Sequence, residues 1–232
     1  MVSVVIHTNM ALPNQTESAG WLQTGFASHG IDAEITGDKH KAADIHVVQG
    51  PWYAFNEWLG KDNVLWLDRC FYGDARFDLS IGWLQPDGSR KFCNHGMARA
   101  KGTLPALKPR KGKRRCAVVF ADYGQDCTQT VIETRQAYDS VFFRPHPAQA
   151  QETPVITLKG DLANVWEIAD VAIGHSSTVL VEAEINGLHV ETTDARHVAR
   201  NVTDRTQWLN DLSWAQWNHE EIQRGEFWEH LH

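Results

Sequence analysis

The sequence lacks the motifs that would announce a common cofactor chemistry. It has no Gly-x-Gly-x-x-Gly turn and no Gly-x-x-x-x-Gly-Lys-Ser/Thr loop, which lowers the dinucleotide and ATP readings. No Asp-x-Asp pair occurs, so the carboxylates that would bridge a divalent ion to a diphosphate are missing and no metal or resident cofactor is expected. HEEIQ (219–223) lacks the second histidine of a zinc helix. Cysteine is scarce. Cys70, Cys93, Cys116 and Cys127 form no Cys-x-x-Cys pair, so free thiols in a reducing cytoplasm are expected. No apolar run approaches the ~20 residues of a membrane span. The N-terminus, MVSVVIHTNMALP, has no basic region before its short apolar run, and reads as a first strand rather than a signal peptide.

What is present is ordinary for a globular chain: 232 residues, 42% hydrophobic and 22% charged. The formal net charge is −7, from 22 basic and 29 acidic residues. The charge is uneven. Arg99, Lys101, Lys108, Arg110, Lys111, Lys113, Arg114 and Arg115 follow one another with no acidic residue between them. Bulk acidity argues against a general nucleic-acid coat, and the local basic stretch keeps a polyanion contact open.

Strand-like and helix-like segments alternate. VSVVIH (2–7), IDAEI (31–35), ADIHVVQG (43–50) and NVLWLD (63–68) are β-rich, and ARFDLSIGWL (75–84) is a fifth candidate. NQTESAGWLQTGFASHG (14–30) has a helical pattern closed by glycine, and PWYAFNEWLG (51–60) a short one opened by proline. Residues 85–115 hold three prolines, four glycines and the basic cluster, and read as a loop or linker. The alternation resumes with RCAVVFADYG (115–124), the helix candidate DCTQTVIETRQAY (126–138), SVFFRPHP (140–147) and VITLK (155–159). DLANVWEIA (161–169), with Asp161 as N-cap, DVAIG (170–174), TVLVEAEING (178–187) and LHVET (188–192) follow. The tail, 203–232, predicts one or two amphipathic helices holding four of the ten tryptophans, Trp208, Trp214, Trp217 and Trp228. The expected fold is α/β, with two Rossmann-like halves and mainly parallel sheets. The halves are 1–98 and 115–200, joined by a basic linker at 99–114, with C-terminal helices at 201–232 packing back across them.

One turn concentrates the chemistry. In IGHSSTVLVEAEINGLHV (173–190) a strand ends, a small polar turn follows, and a helix begins. A Gly-His-Ser-x-Gly elbow would make Ser176 a hydrolase nucleophile, but Thr178 stands where the second glycine belongs. Asp194 and His197, the available acid and histidine, are only three residues apart. The other chemistry is phosphate binding. Ser176, Ser177 and Thr178 offer hydroxyls beside helix N–H groups, and Glu182 follows one turn later, where it would accept from ribose hydroxyls. FFRPHP (142–147) places Arg144 and His146 at another strand end, and DYG (122–124) places Gly124 at a third. In an open α/β sheet all three loops meet on one rim. The plainer alternatives are an N-cap pair for Ser176 and Ser177, a turn role for His146, a packed His175 and a solvated Glu182.

These residues resemble the donor-binding half of GT-B glycosyltransferases, most of all the capsule, Kdo and bacterial sialyltransferase branches. The resemblance rests on the His-Pro motif, His146 and Pro147 in RPHP, and on the Ser-Ser motif in HSSTVLVEAEINGLHV, and covers roughly 115 to 192. It implies that His146, Ser176 and Ser177 hold the phosphates of a nucleotide-sugar donor, with Arg144, Gly174, His175, Thr178 and Gly124 around them. Glu182 would contact the nucleotide ribose. The expected activity is metal-independent transfer of a sugar to a hydroxyl of a glycan, or of a modified base in phage DNA. The resemblance places the general base in the first half, where Asp68 at a strand end, Glu17 and His7 are the candidates. Two other classes stay open: a non-catalytic nucleotide or phospho-sugar binding module, and a serine hydrolase using Ser176.

Overall fold

The computed structural model of the chain describes residues 2–49, 55–73, 78–91, 97–99 and 104–231. Cys93 and much of the basic stretch's start lie outside them. The first strands and helices follow the expected order: β1 (Val4–His7), α1 (Pro13–Ser28), β2 (Ala33–Thr36), β3 (Ile45–Gln49), α2 (Phe55–Trp58), β4 (Val64–Arg69) and β5 (Asp78–Leu84); β6 (Arg90–Lys91) is a short strand inside the segment expected as a loop or linker. Then come β7 (Cys116–Phe120), α3 (Thr128–Ala137), β8 (Ser140–Arg144), β9 (Ile156–Thr157), α4 (Leu162–Ile168), β10 (Val171–Gly174), α5 (Val179–Ile185) and β11 (His189–Thr192). The chain closes with α6 (Arg205–Ser213), β12 (Gln216–Asn218), α7 (His219–Gln223) and α8 (Glu226–Glu229).

The elements form two units, residues 1–104 with 206–232, and residues 105–205. In the first, the strand order is β12-β5-β4-β3-β1-β2, with β6 on the side of β5. Strands β1 to β4 pair parallel, while β5 runs antiparallel to β4 and β12 antiparallel to β5. Helix α1 starts on Pro13, which has no N–H to leave unpaired. It buries Ala19, Trp21, Leu22 and Phe26, a helical stripe that meets Val4, Ile6, Val47, Leu65 and Leu67 of the sheet. Gly25 lets α7 approach, since a Cβ there would lie 2.1 Å from the Ile222 carbonyl oxygen.

The tail differs from the helices expected of it. Gln216–Asn218 is a strand, and Trp217, 1% exposed, packs in the sheet's core. The i, i+3 spacing of Trp214 and Trp217 imitates a helix. The chain instead turns at Ala215, whose carbonyl accepts from Ile81 N–H at 2.9 Å, and pairing with β5 decides the conformation.

The second unit is a five-stranded sheet, order β11-β10-β7-β8-β9, parallel throughout its described pairs. Its strands are covered on both faces, so they read as apolar runs. Along β7, Val118 and Phe120 face Val165, Trp166 and Leu180, while Ala117 and Val119 face Val131 and Phe143. Asp161 caps α4 as expected, accepting from Ala163 N–H at 2.9 Å.

Candidate functional site

A parallel sheet sends its strand C-termini to one edge. In the second unit that edge carries the loops after β7, β8, β10 and β11. Residues 122–124 tie three of them together. Asp122 Oδ2 accepts from both the backbone N–H and the hydroxyl of Ser176, each at 2.7 Å. Tyr123 sets its ring edge-on to His146, with centroids 5.4 Å apart. Gly124, at φ 78, donates its N–H to Gln149 Oε1 at 2.6 Å. The left-handed backbone at that position favours glycine.

Donors are left over on this rim. His146 Nδ1 accepts from Ala148 N–H at 3.2 Å, so the neutral ring carries its proton on Nε2, which has no partner among the described residues. Neither the N–H nor the hydroxyl of Ser177 or Thr178 has one either. The Ser177 carbonyl is held by His197 Nε2 at 3.1 Å and by Leu180 N–H at 3.1 Å, which fixes the turn. Gly174 ends β10 where a Cβ would press on the Leu180 methyls at 3.4 Å. Glu182 is half-buried, its carboxylate has no hydrogen-bond partner among the described residues, and burial raises that carboxyl above the usual range.

Three of the residues expected at the phosphate make hydrogen bonds within the fold. Both donors of Ser176 are committed to Asp122. Arg144 donates Nη1 to the Leu158 carbonyl at 3.3 Å and Nη2 to the Gly160 carbonyl at 2.6 Å. It therefore clamps the loop after β9, whose strand is too short to satisfy those carbonyls itself. His175 faces the loop after β11, with Nδ1 against Thr193 Oγ1 at 2.8 Å. The hydrolase arrangement does not assemble. The Ser176 hydroxyl meets a carboxylate, Asp194 pairs with Arg196 at 2.9 Å, and His197 Nε2 faces a carbonyl. Asp122 and Tyr123 were missed in the sequence, although both directly follow a β-rich run, which is where rim residues fall.

In the first unit, a cavity of about 380 Å³ opens at the ends of β1 and β3, lined by His7, Thr8, Met10, Lys39, Gln49 and Trp58 among others. Thr8 Oγ1 and Gln49 Oε1 are buried there without partners among the described residues. His7 is 5% exposed and engaged at both nitrogens. Nδ1 meets the Asp38 carbonyl at 3.0 Å, which only accepts, so Nδ1 carries the proton and Nε2 accepts from His46 Nδ1 at 3.0 Å. Burial, with the Asp38 bond partly opposing, holds His7 down at about 4. Asp68 is exposed at the end of β4, its Oδ1 accepting from Arg69 N–H at 2.8 Å. Glu17 is exposed on α1.

The basic stretch is not a uniformly solvated run. Arg99 pairs with Glu221 at 2.6 Å and lies over the Trp217 ring at 4.1 Å. Arg110 pairs with Glu184 at 2.5 Å, and Arg205 reaches the same carboxylate at 3.0 Å. Buried carboxylates need such partners, so these arginines are drawn inward and are lost to any polyanion surface. Gly187 admits the segment. Its φ is 85, and a Cβ would lie 2.1 Å from the Pro109 carbonyl oxygen. Trp214 and Trp217 are buried at 9% and 1% exposure, so neither presents a face for stacking on a sugar. Among the described residues no group of three or more His, Cys, Asp or Glu side chains is placed to hold a metal, and no helix is long and apolar enough to cross a membrane.

No protein-family model and no curated protein matches the chain. Solved structures do. The beta Kdo 2,7 transferase of Thermosulfurimonas dismutans KpsC matches with a TM-score of 0.60 at 14% identity, over 98% of this chain and 99% of that one. The beta Kdo 2,4 transferase of the same KpsC matches with a TM-score of 0.51 at 11% identity, over 92% and 91%. These likenesses extend over nearly the full length of both partners and show the fold, two Rossmann-like α/β units of the GT-B kind with additional helices.

Proposed function

We propose that this chain is a glycosyltransferase that moves a sugar from a nucleotide-activated donor to a hydroxyl. The observation that carries the reading is the second unit's rim, where Asp122, Tyr123 and Gly124 bind the His-Pro loop to the Ser-Ser turn and leave unpartnered donors on both. Fixed donors aimed at an anion need no reorganisation when charge develops, which is how a leaving phosphate is stabilised. His146 Nε2 and the Ser177 and Thr178 groups would hold the donor phosphates. Glu182, an unsatisfied half-buried carboxylate, would accept from the nucleotide's hydroxyls.

In the proposed reaction an acceptor hydroxyl oxygen attacks the anomeric carbon. The bond from that carbon to the phosphate oxygen breaks, its electrons pass to the phosphate, and the acceptor proton passes to a carboxylate. His7 is poorly suited to that last role, since both nitrogens are engaged and the ring resists protonation. Asp68 and Glu17 are exposed and keep free carboxylate oxygens, which supports either as the base. The cavity beside Thr8 and Gln49 is the candidate acceptor pocket.

The test is a thermal shift against UDP, GDP, CMP, ADP and TDP. A ligand at about 100 Kd adds roughly 2.7 kcal/mol. We expect a selective rise with one nucleotide that disappears in His146→Ala. No rise with any of them removes the donor site.

A further inference from the structure

Ser176 is bonded in a way that contradicts a simple phosphate role. A carboxylate oxygen only accepts, and Asp122 Oδ2 lies 2.7 Å from both Ser176 Oγ and Ser176 N. A serine has one hydroxyl hydrogen, and here it points to Asp122. What Ser176 Oγ offers to anything else is therefore lone pairs. A fully ionised phosphate oxygen, as in the diphosphate of a nucleotide sugar, also offers only lone pairs, so the two would face each other acceptor to acceptor. The Asp122 carboxylate behind them places a further acceptor at close range. The next two residues are the reverse. Ser177 and Thr178 keep N–H and hydroxyl donors with no partner among the described residues, and His146 keeps Nε2–H.

We infer that Asp122 is a positioning residue that sets the hydrogen-bonding polarity of the Ser-Ser turn, reserving Ser176 as an acceptor for a ligand hydroxyl and assigning the anion to Ser177, Thr178 and His146. The ligand class that fits this pattern is a phosphate ester carrying a hydroxyl near the phosphate, as in a sugar phosphate, rather than a bare phosphate. Tyr123 and Gly124 keep Asp122 in place from the same loop, through His146 and Gln149. The inference rests on the donor site proposed above and assigns its two serines opposite roles.

Asp122→Ala removes the acceptor, so that the Ser176 hydroxyl is free to turn outward as a donor, and removes one negative charge. The measurement is the Kd of sulfate, a tetrahedral dianion with no O–H, and of ribose 5-phosphate, by calorimetry, for the unmodified chain, Asp122→Ala, Ser176→Ala and Ser177→Ala. We expect Ser177→Ala to weaken sulfate about ten-fold or more, as loss of a hydrogen bond to a charged group does. Ser176→Ala should change sulfate less than about two-fold but weaken ribose 5-phosphate several-fold. Asp122→Ala should bind sulfate about three-fold or more tighter and prefer the sugar ester less. Three results overturn the inference. Ser176→Ala could weaken sulfate as much as Ser177→Ala does. Asp122→Ala could lower the Tm without tightening sulfate, as a purely structural carboxylate would. Or neither the unmodified chain nor Asp122→Ala could bind sulfate at all. If the expected sulfate pattern holds while no nucleotide shifts the Tm, the polarity stands and only the nucleotide-donor reading falls.

Discussion

The two units are built from the same parts, and their strand-end rims have been put to opposite uses of hydrogen bonding. In the first, His7 at the end of β1 is buried, spent at both nitrogens and held neutral. In the second, His146 just past the end of β8 is half-exposed and keeps one nitrogen free. The first rim satisfies its histidine internally and leaves Thr8 Oγ1 and Gln49 Oε1 without partners among the described residues around a cavity. The second spends its carboxylate on Ser176 and leaves a row of donors. A histidine at a strand end is thus a structural or a ligand-facing group according to what the neighbouring loop offers it, not according to its position alone.

Each unit also anchors one arginine of the basic stretch on a buried glutamate, and that pair gives the largest test of the comparison. Glu184→Ala leaves Arg110 and Arg205 without their carboxylate, and Glu221→Ala leaves Arg99 without its own. Breaking a buried pair costs about 3–5 kcal/mol. Urea unfolding should show both losses, with Glu184→Ala the larger because two guanidiniums are stranded. Equal, small losses would mean that these pairs are solvated after all.

Next in size is the pair of histidines. His146→Ala should lower turnover by about 10²-fold, the usual cost of one donor at a developing anion. His7→Asn should leave the second unit's nucleotide affinity unchanged. Initial rates and nucleotide titration separate the two, and a loss of nucleotide binding in His7→Asn would break the division. A smaller effect is expected at Glu182. Glu182→Gln should weaken nucleotide binding about ten-fold, by loss of a charged acceptor. It should also raise the Tm at neutral pH, because the folded state resists ionising that carboxyl and its penalty grows as pH rises through the raised pKa. A fall in Tm would show that Glu182 is satisfied as an anion.

The last test is the pH dependence of the first unit. His7 titrates near 4 when folded and near 6.5 in the open. Between those values the unfolded chain takes up a proton that the folded one refuses. The stability that neutral His7 contributes is therefore complete above about 6.5 and drains away as the pH falls toward 4, at most about 1.4 kcal/mol per pH unit. Unfolding free energies across that window should flatten in His7→Asn and keep their slope in His146→Ala.

The alternating pattern of strands and helices was legible because period-2 and period-3.6 patterns are local properties, and the strands β1 to β4 and β7 to β11 lie where apolar runs ended in turn residues. Strand β12 was not legible, since its conformation comes from pairing with β5 across more than a hundred residues of chain. In the candidate site, motif and spacing pointed to His146, Ser177 and Glu182, because all three lie on the segments that follow strand ends. The hydrogen bonds of Arg144 to the Leu158 and Gly160 carbonyls were not legible, because nothing local says that the short β9 leaves carbonyls for it to hold.

Sequence alone determined the α/β class, the strand-end location of the polar turns and the absence of common cofactor motifs, because each of these is written in neighbouring residues. Only the tertiary structure decided which polar groups remain free. Asp122 meets Ser176, Arg110 meets Glu184 and His7 meets His46 across long stretches of chain, and a hydrogen bond once made inside the fold removes that donor or acceptor from any ligand.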